Sequence, residues 1–178
     1  MNVYPDAYVA YLVEFHVTRD YFECHELLEE YWKDHPADGK SRLWVGLIQL
    51  AVGQYHHRRG NVRGAYKIYR QALLRLSPAN LAEAGLDGGV LLPAVNDIAG
   101  ALERGEPLPY RPWSMPIANS ELEERCRSAC RRLGLNWDAG VTIPVEEVVH
   151  RHKLRDRSAV LEARRKSLEA KNALRRKC

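Results

Sequence analysis

Three observations on this 178-residue chain predict an all-α fold. Apolar residues recur at helical spacing, and no run alternates with the two-residue period of a half-buried strand. Helix-starting side chains such as Asp20, Asn61 and Asp87 stand just before several of the periodic runs. Residues 41–59 carry apolar side chains around the whole helix axis, the mark of a helix enclosed by others. The expected architecture is a compact helical bundle over residues 1–140, with one central buried helix surrounded by others. A basic helical extension over residues 141–178 completes it.

Pro5 opens a first helix, which carries Tyr8, Tyr11, Leu12 and Phe15 and ends near Thr18. Asp20 caps the second, with Glu23 at its third position as in a capping box. A polar turn over 34–39 leads to the central helix. There Arg58 and Arg59 face the negative end of the helix dipole, and Gly60-Asn61 supplies a stop followed by a new cap. A fourth helix runs to about Leu76, before Ser77-Pro78. Asp87 caps a later segment, whose regular start Gly88, Gly89 and Pro93 are expected to delay to about Leu92. Prolines at 107, 109, 112 and 116 forbid helix over 105–118, while Tyr110, Trp113 and Met115 argue for an extended strap lying on the core. A short helix over 119–133 places Cys126 and Cys130 one turn apart, as packed thiols. Beyond Pro144, Leu154, Leu161 and Leu168 are spaced by seven on a long charged helix, a thin coiled-coil strip.

Composition sets the compartment and excludes several function classes. Four cysteines without a C-x-x-C pair suit a reducing, cytoplasmic setting. Asp6 and Glu14 interrupt any secretory apolar region, and no apolar run approaches the length that spans a bilayer, so no membrane association is expected. The net charge of +4 is concentrated. Residues 150–178 hold eleven Lys and Arg against three Asp and Glu, so the basic C-terminal tail is a candidate contact for nucleic acid or a protein partner, and a homo-oligomer is open to it. That tail has no aromatic residue to stack on bases. Ala65, Tyr69, Ala72 and Pro78 have the spacing of half a tetratricopeptide repeat, but no second copy follows, which leaves an ordinary helix pair. No phosphate-binding glycine loop or cofactor fingerprint is present, and no nucleophile stands recognisably beside a base, so the sequence names no reaction.

The chemistry concentrates in residues 21–32. At about 100° per residue, His25 and Glu29 share a stripe with Tyr21, Leu28 and Trp32, which places an ionisable pair where a helix should be apolar. On the central helix Gln49 and His56 share a stripe beside Gly46 and Gly53, and small residues let another backbone approach. If the neighbour is the helix bearing His25, then His25, Glu29, Gln49 and His56 meet inside. His25, Glu29 and His56 would form a first shell for zinc or another divalent transition metal, with Gln49 and Trp32 outside it. The same cluster also suits a ligand-free hydrogen-bond network that fixes helix register. Glu26 is expected off the inward stripe, which argues against the base role of an H-E-x-x-H protease. His35 and His57 are expected to face solvent, and His150 and His152 belong to the tail.

The run Tyr21-Phe22-Glu23-Cys24-His25-Glu26-Leu27-Leu28-Glu29-Glu30-Tyr31-Trp32 resembles the prokaryotic DUF309 family. So do Gly46-Leu47-Ile48-Gln49-Leu50-Ala51, Tyr55-His56, Arg59-Gly60-Asn61 and Gly64-Ala65. The family's H-x-x-x-E-x-x-W/Y hallmark falls on His25, Glu29 and Trp32. The resemblance spans roughly residues 5 to 130. It implies a compact bundle with one enclosed helix, a suggested metal-binding role and no assigned reaction.

Overall fold

The computed structural model describes residues 4–139, together with 146 and 148–150. Among these residues all regular elements are helices: α1 Asp6–Val13, α2 Tyr21–Asp34, α3 Ser41–Arg58, α4 Val62–Arg75, α5 Pro78–Glu83, α6 Gly88–Glu103 and α7 Ser120–Arg132. A π-helical turn, Glu14–Thr18, widens the end of α1. The all-α bundle expected from periodicity is the observed fold. Of the expected helix beyond Pro144, the part that carries Leu154, Leu161 and Leu168 lies outside the described residues.

Local chemistry explains the starts. Asp20 Oδ1 accepts from Glu23 N at 3.0 Å, Asn61 Oδ1 from Gly64 N at 3.0 Å, Asp87 Oδ1 from Val90 N at 3.1 Å and Asn119 Oδ1 from Leu122 N at 3.0 Å. Each satisfies a donor that the first helical turn leaves over. Two features depart from expectation. α6 begins at Gly88, four residues earlier than expected, because the Asp87 cap secures its first turn and Pro93 sits early enough to lose only the bond to Gly89. Ser77-Pro78 is a start as well as a stop: Ser77 and Asn80 form a reciprocal capping box that nucleates α5.

α3 is the enclosed helix. It packs between α2 and α4, α4 also meets α6, and α1 meets α2 and α7. Leu43, Trp44, Leu47, Leu50 and Ala51 are buried along it, and the Tyr11 hydroxyl of α1 donates to the Leu47 carbonyl at 2.8 Å. Residues 105–118 form the expected strap, tied down at both ends. His57 Nε2–H donates to the Leu108 carbonyl (2.9 Å), Tyr21 and Tyr110 hydroxyls meet at 2.7 Å, and Asp87 N donates to the Pro116 carbonyl at 2.8 Å. His57 therefore corrects the sequence expectation: it is 6% exposed and spends its ring on the strap, not on solvent. His35 is exposed, as expected.

Candidate functional site

The inward line of α2 is Tyr21, Cys24 and Leu28, each fully buried. Cys24, small and apolar, takes the core position that the stripe reading gave to His25. His25 and Glu29 lie one step round the helix, with side chains 31% and 33% exposed. They sit at the edge of the core, so the large penalty of a buried charge does not apply to them. His25 Nε2 stands 3.6 Å from Glu29 Oε2, and Glu29 Oε1 is 3.0 Å from Lys33 Nζ. Glu26 is not turned away. Its long side chain folds back so that Oε1 lies 3.1 Å from His25 Nδ1. Ligand atoms of His25, Glu26 and Glu29 all lie within 4.8 Å of one another, and this is the one such group among the described residues. Glu23, Glu30 and Asp34 line the same shallow depression and make it acidic.

The structure does not bring Gln49 and His56 to this group. Gln49 Oε1 accepts from Arg75 Nη1 of α4 at 3.4 Å, and His56 Nδ1 accepts from Asn61 Nδ2, the cap of α4, at 3.0 Å. The glycine flank explains why. A side chain at Gly46 would meet Leu76, and one at Gly53 would meet Tyr69, so the close approach that the glycines permit belongs to α4. The stripe was correctly grouped, but its neighbour is α4 and not α2. Trp32 is likewise committed elsewhere, its indole N–H donating to Ser41 Oγ at 2.7 Å across the α2–α3 turn. Cys24, Cys126 and Cys130 are buried thiols. Burial pushes Cys126 up to about 12 and raises Cys130, which keeps both protonated and unreactive.

A second constellation, unmarked in the sequence, forms where α1 gives way to α2. The π turn carries His16, and Arg19 follows in a left-handed conformation (φ 57°), unique among described non-glycine residues. Arg19 is 2% exposed. Its Nη1 donates to the Phe15 and Trp113 carbonyls at 2.8 and 2.7 Å, and its Nη2 to Ser114 Oγ at 3.1 Å. His16 is 9% exposed, accepts from Met115 N on Nε2 (3.2 Å), and stacks on Trp137 with ring centroids 4.7 Å apart. Arg58 of α3 completes the junction, donating to the Arg19 carbonyl at 2.6 Å with its guanidinium 4.6 Å from the Tyr21 ring centre. No local signal could have shown this, because the partners on α3 and the strap lie 39 to 99 residues away and Trp137 further still.

Burial, and then the neighbouring Arg19 cation, lower the His16 pKa to about 3. The folded protein therefore holds His16 neutral where the unfolded chain, near 6.5, takes up a proton. The sign follows: this contribution to stability is complete above pH 6.5 and is lost as pH falls from 6.5 toward 3, by up to about 1.4 kcal/mol per pH unit. Urea midpoints measured from pH 7 to pH 5 are expected to fall more steeply in the wild type than in His16→Phe, which keeps a ring against Trp137 but cannot titrate. Equal slopes would count against a neutral buried imidazole.

No helix among the described residues is long and apolar enough to cross a membrane. The sequence matches the family described as "Domain of unknown function (DUF309)" over residues 8–68, which take in most of α1, all of α2 and α3 and the start of α4. It is 43% identical over 169 residues to the uncharacterized protein YpuF of Bacillus subtilis (strain 168), covering 94% of this chain and 96% of that protein. That coverage leaves too few residues over to exclude the whole basic segment, so the likeness extends into it. An uncharacterized protein of Aquifex aeolicus (strain VF5) is 27% identical over 90 residues, 51% of this chain and 27% of its own length. No solved structure matches significantly. With a relative this similar along nearly its full length and the family's motif on α2, the chain belongs to the DUF309 family, whose function is not known.

Proposed function

We propose that the α2 surface binds a divalent transition metal through His25 Nε2 and Glu29 Oε2, with Glu26 orienting the imidazole from outside the metal shell. The observation that carries this reading is the 3.6 Å between Nε2 and Oε2. That separation is long for a hydrogen bond but close to the edge of a tetrahedral shell, about 3.4 Å for metal–ligand bonds of about 2.1 Å. The Glu26 contact supports it. An Nδ1–H donated to a carboxylate fixes the tautomer that leaves Nε2 free, as second-shell carboxylates do for metal-bound histidines. Lys33 engages the other oxygen of Glu29, which directs Oε2 toward His25. Two protein ligands leave positions for water or for a ligand brought by a partner, so the site suits a metal-dependent binding surface, and no reaction is assigned to it. Buried free thiols agree with a reducing, cytoplasmic setting for such a site.

The test is zinc titration by calorimetry on full-length protein purified without a metal-affinity tag. One equivalent is expected to bind, and His25→Ala and Glu29→Gln should each weaken it at least about tenfold. Glu26→Gln is expected to weaken it by about 10- to 100-fold through loss of the orienting bond. His56→Ala should leave binding unchanged, because His56 is held at Asn61. Saturating metal should also raise the melting temperature. Absence of stoichiometric binding, together with identical melts with and without chelator, would leave the pair as a structural contact.

A further inference from the structure

A pocket of about 280 Å³ opens beside the α1–α2 junction, walled by His16, Arg19, Ser114, Met115 and Trp137, with Glu123 at its side. Two buried groups in that wall have unspent hydrogen-bonding capacity. Arg19 is almost wholly buried, yet its acceptors are two carbonyls and a hydroxyl, no carboxylate lies within ion-pair distance among the described residues, and its Nε–H has no acceptor. A buried guanidinium without a counter-charge carries a desolvation cost that neutral acceptors only partly offset. His16 is the second group. Because Nε2 accepts from Met115 N, the neutral ring carries its proton on Nδ1, and no acceptor for it stands among the described residues. Glu123 does not neutralise Arg19, since it is paired at 2.8 Å with Arg127.

We infer that this pocket binds a small oxyanion, a carboxylate or a phosphate, which accepts from His16 Nδ1–H and supplies the counter-charge that no described residue gives Arg19. The site is separate from the α2 surface and does not depend on it. Oxyanions are the matching chemistry because a guanidinium edge and an imidazole N–H are paired donors, and a halide offers only one point of contact. Met115 and the Trp137 ring make the remaining wall apolar, so a carboxylate with a short apolar body also fits. The strap brings Ser114 and Met115 into this wall, so an occupied pocket would bind the strap to the α1–α2 junction through the ligand.

The experiment uses full-length, ¹⁵N-labelled protein at pH 7, titrated with sodium phosphate or sodium acetate against sodium chloride at constant ionic strength. The Arg19 Nε–H and Trp137 indole N–H resonances are expected to move saturably with at least one oxyanion, with a Kd in the millimolar range, and not with chloride. Saturation by phosphate alone assigns phosphates, and by acetate alone carboxylates. Arg19→Gln is expected to weaken binding at least tenfold. Because that variant also loses the strap contacts, Glu123→Gln provides an independent reading: removal of a carboxylate from the pocket side should tighten binding severalfold in a protein that keeps its fold. Shifts that do not saturate, shifts reproduced by chloride, or a Glu123→Gln affinity that is unchanged or weaker would overturn the inference.

Discussion

Trp44→Ala is expected to lower the unfolding free energy by about 3 to 5 kcal/mol, among the largest losses available to a single substitution in this protein. Trp44 is 2% exposed at the start of α3. Its ring lies 5.6 Å from Tyr8 of α1 and 5.5 Å, edge to face, from Tyr31 of α2, so one side chain joins three helices. Its indole N–H also donates to Asp38 Oδ2 at 2.6 Å, and Asp38 Oδ1 accepts from Lys40 N at 2.8 Å, which shapes the α2–α3 turn. Alanine would leave a cavity among rings that cannot all collapse into it, and would strip Asp38 of a partner. Trp44→Phe should lose markedly less, because it keeps most of the apolar contact. Urea denaturation monitored by far-UV circular dichroism checks both, with a fall in midpoint at a constant slope as the expected result. A loss below about 1 kcal/mol for the alanine variant would contradict the central position of α3.

Gly53→Val should cost about 3 kcal/mol, at the upper end of what overpacking a helix contact does. A Cβ at Gly53 would lie 2.4 Å from Tyr69 Cε1, well inside van der Waals contact. Tyr69 cannot swing away cheaply. It is fully buried, and its hydroxyl accepts from Gln54 Nε2 at 2.9 Å, itself a fully buried side chain, so moving the ring orphans an amide in the core. Gly46→Val is the internal comparison. There the Cβ would meet the end of the Leu76 side chain at 2.6 Å, and Leu76 is the C-cap just past the end of α4, in extended backbone, where it can give way. The expected order of destabilisation is Gly53→Val above Gly46→Val, read from denaturation midpoints. The reverse order would mean that the α3–α4 approach is governed by the end of α4 and not by the Tyr69 ring.

The two constellations also differ in how they respond to substitution. His25 and Glu29 are each about one-third exposed, so their replacement should change metal affinity more than stability. His16 and Arg19 are buried and tied to the strap, so their replacement should change both.

The amino-acid sequence by itself determined where helices begin and what lies between them, because those choices are made within a few residues. Asp20, Asn61, Asp87 and Asn119 each cap the turn that follows, and the prolines of 105–118 exclude helix wherever the strap goes. Periodicity also grouped Gly46, Gln49, Gly53 and His56 on one flank of α3. A period fixes which side chains share a face and is silent about what that face meets. α3 is apolar nearly all round, so it offered no direction, and only packing decided that this flank turns to α4. On α2 the inward direction lay one residue away, because Cys24 is fully buried and His25 is not. The tertiary structure alone brought Glu26 back to His25, carried His57 under the strap, and assembled His16, Arg19, Ser114 and Trp137 around one pocket. A buried cation in a sequence reads as a surface residue until the carbonyls that hold it are in place. For Arg19 the Trp113 carbonyl arrives from 94 residues further along the chain.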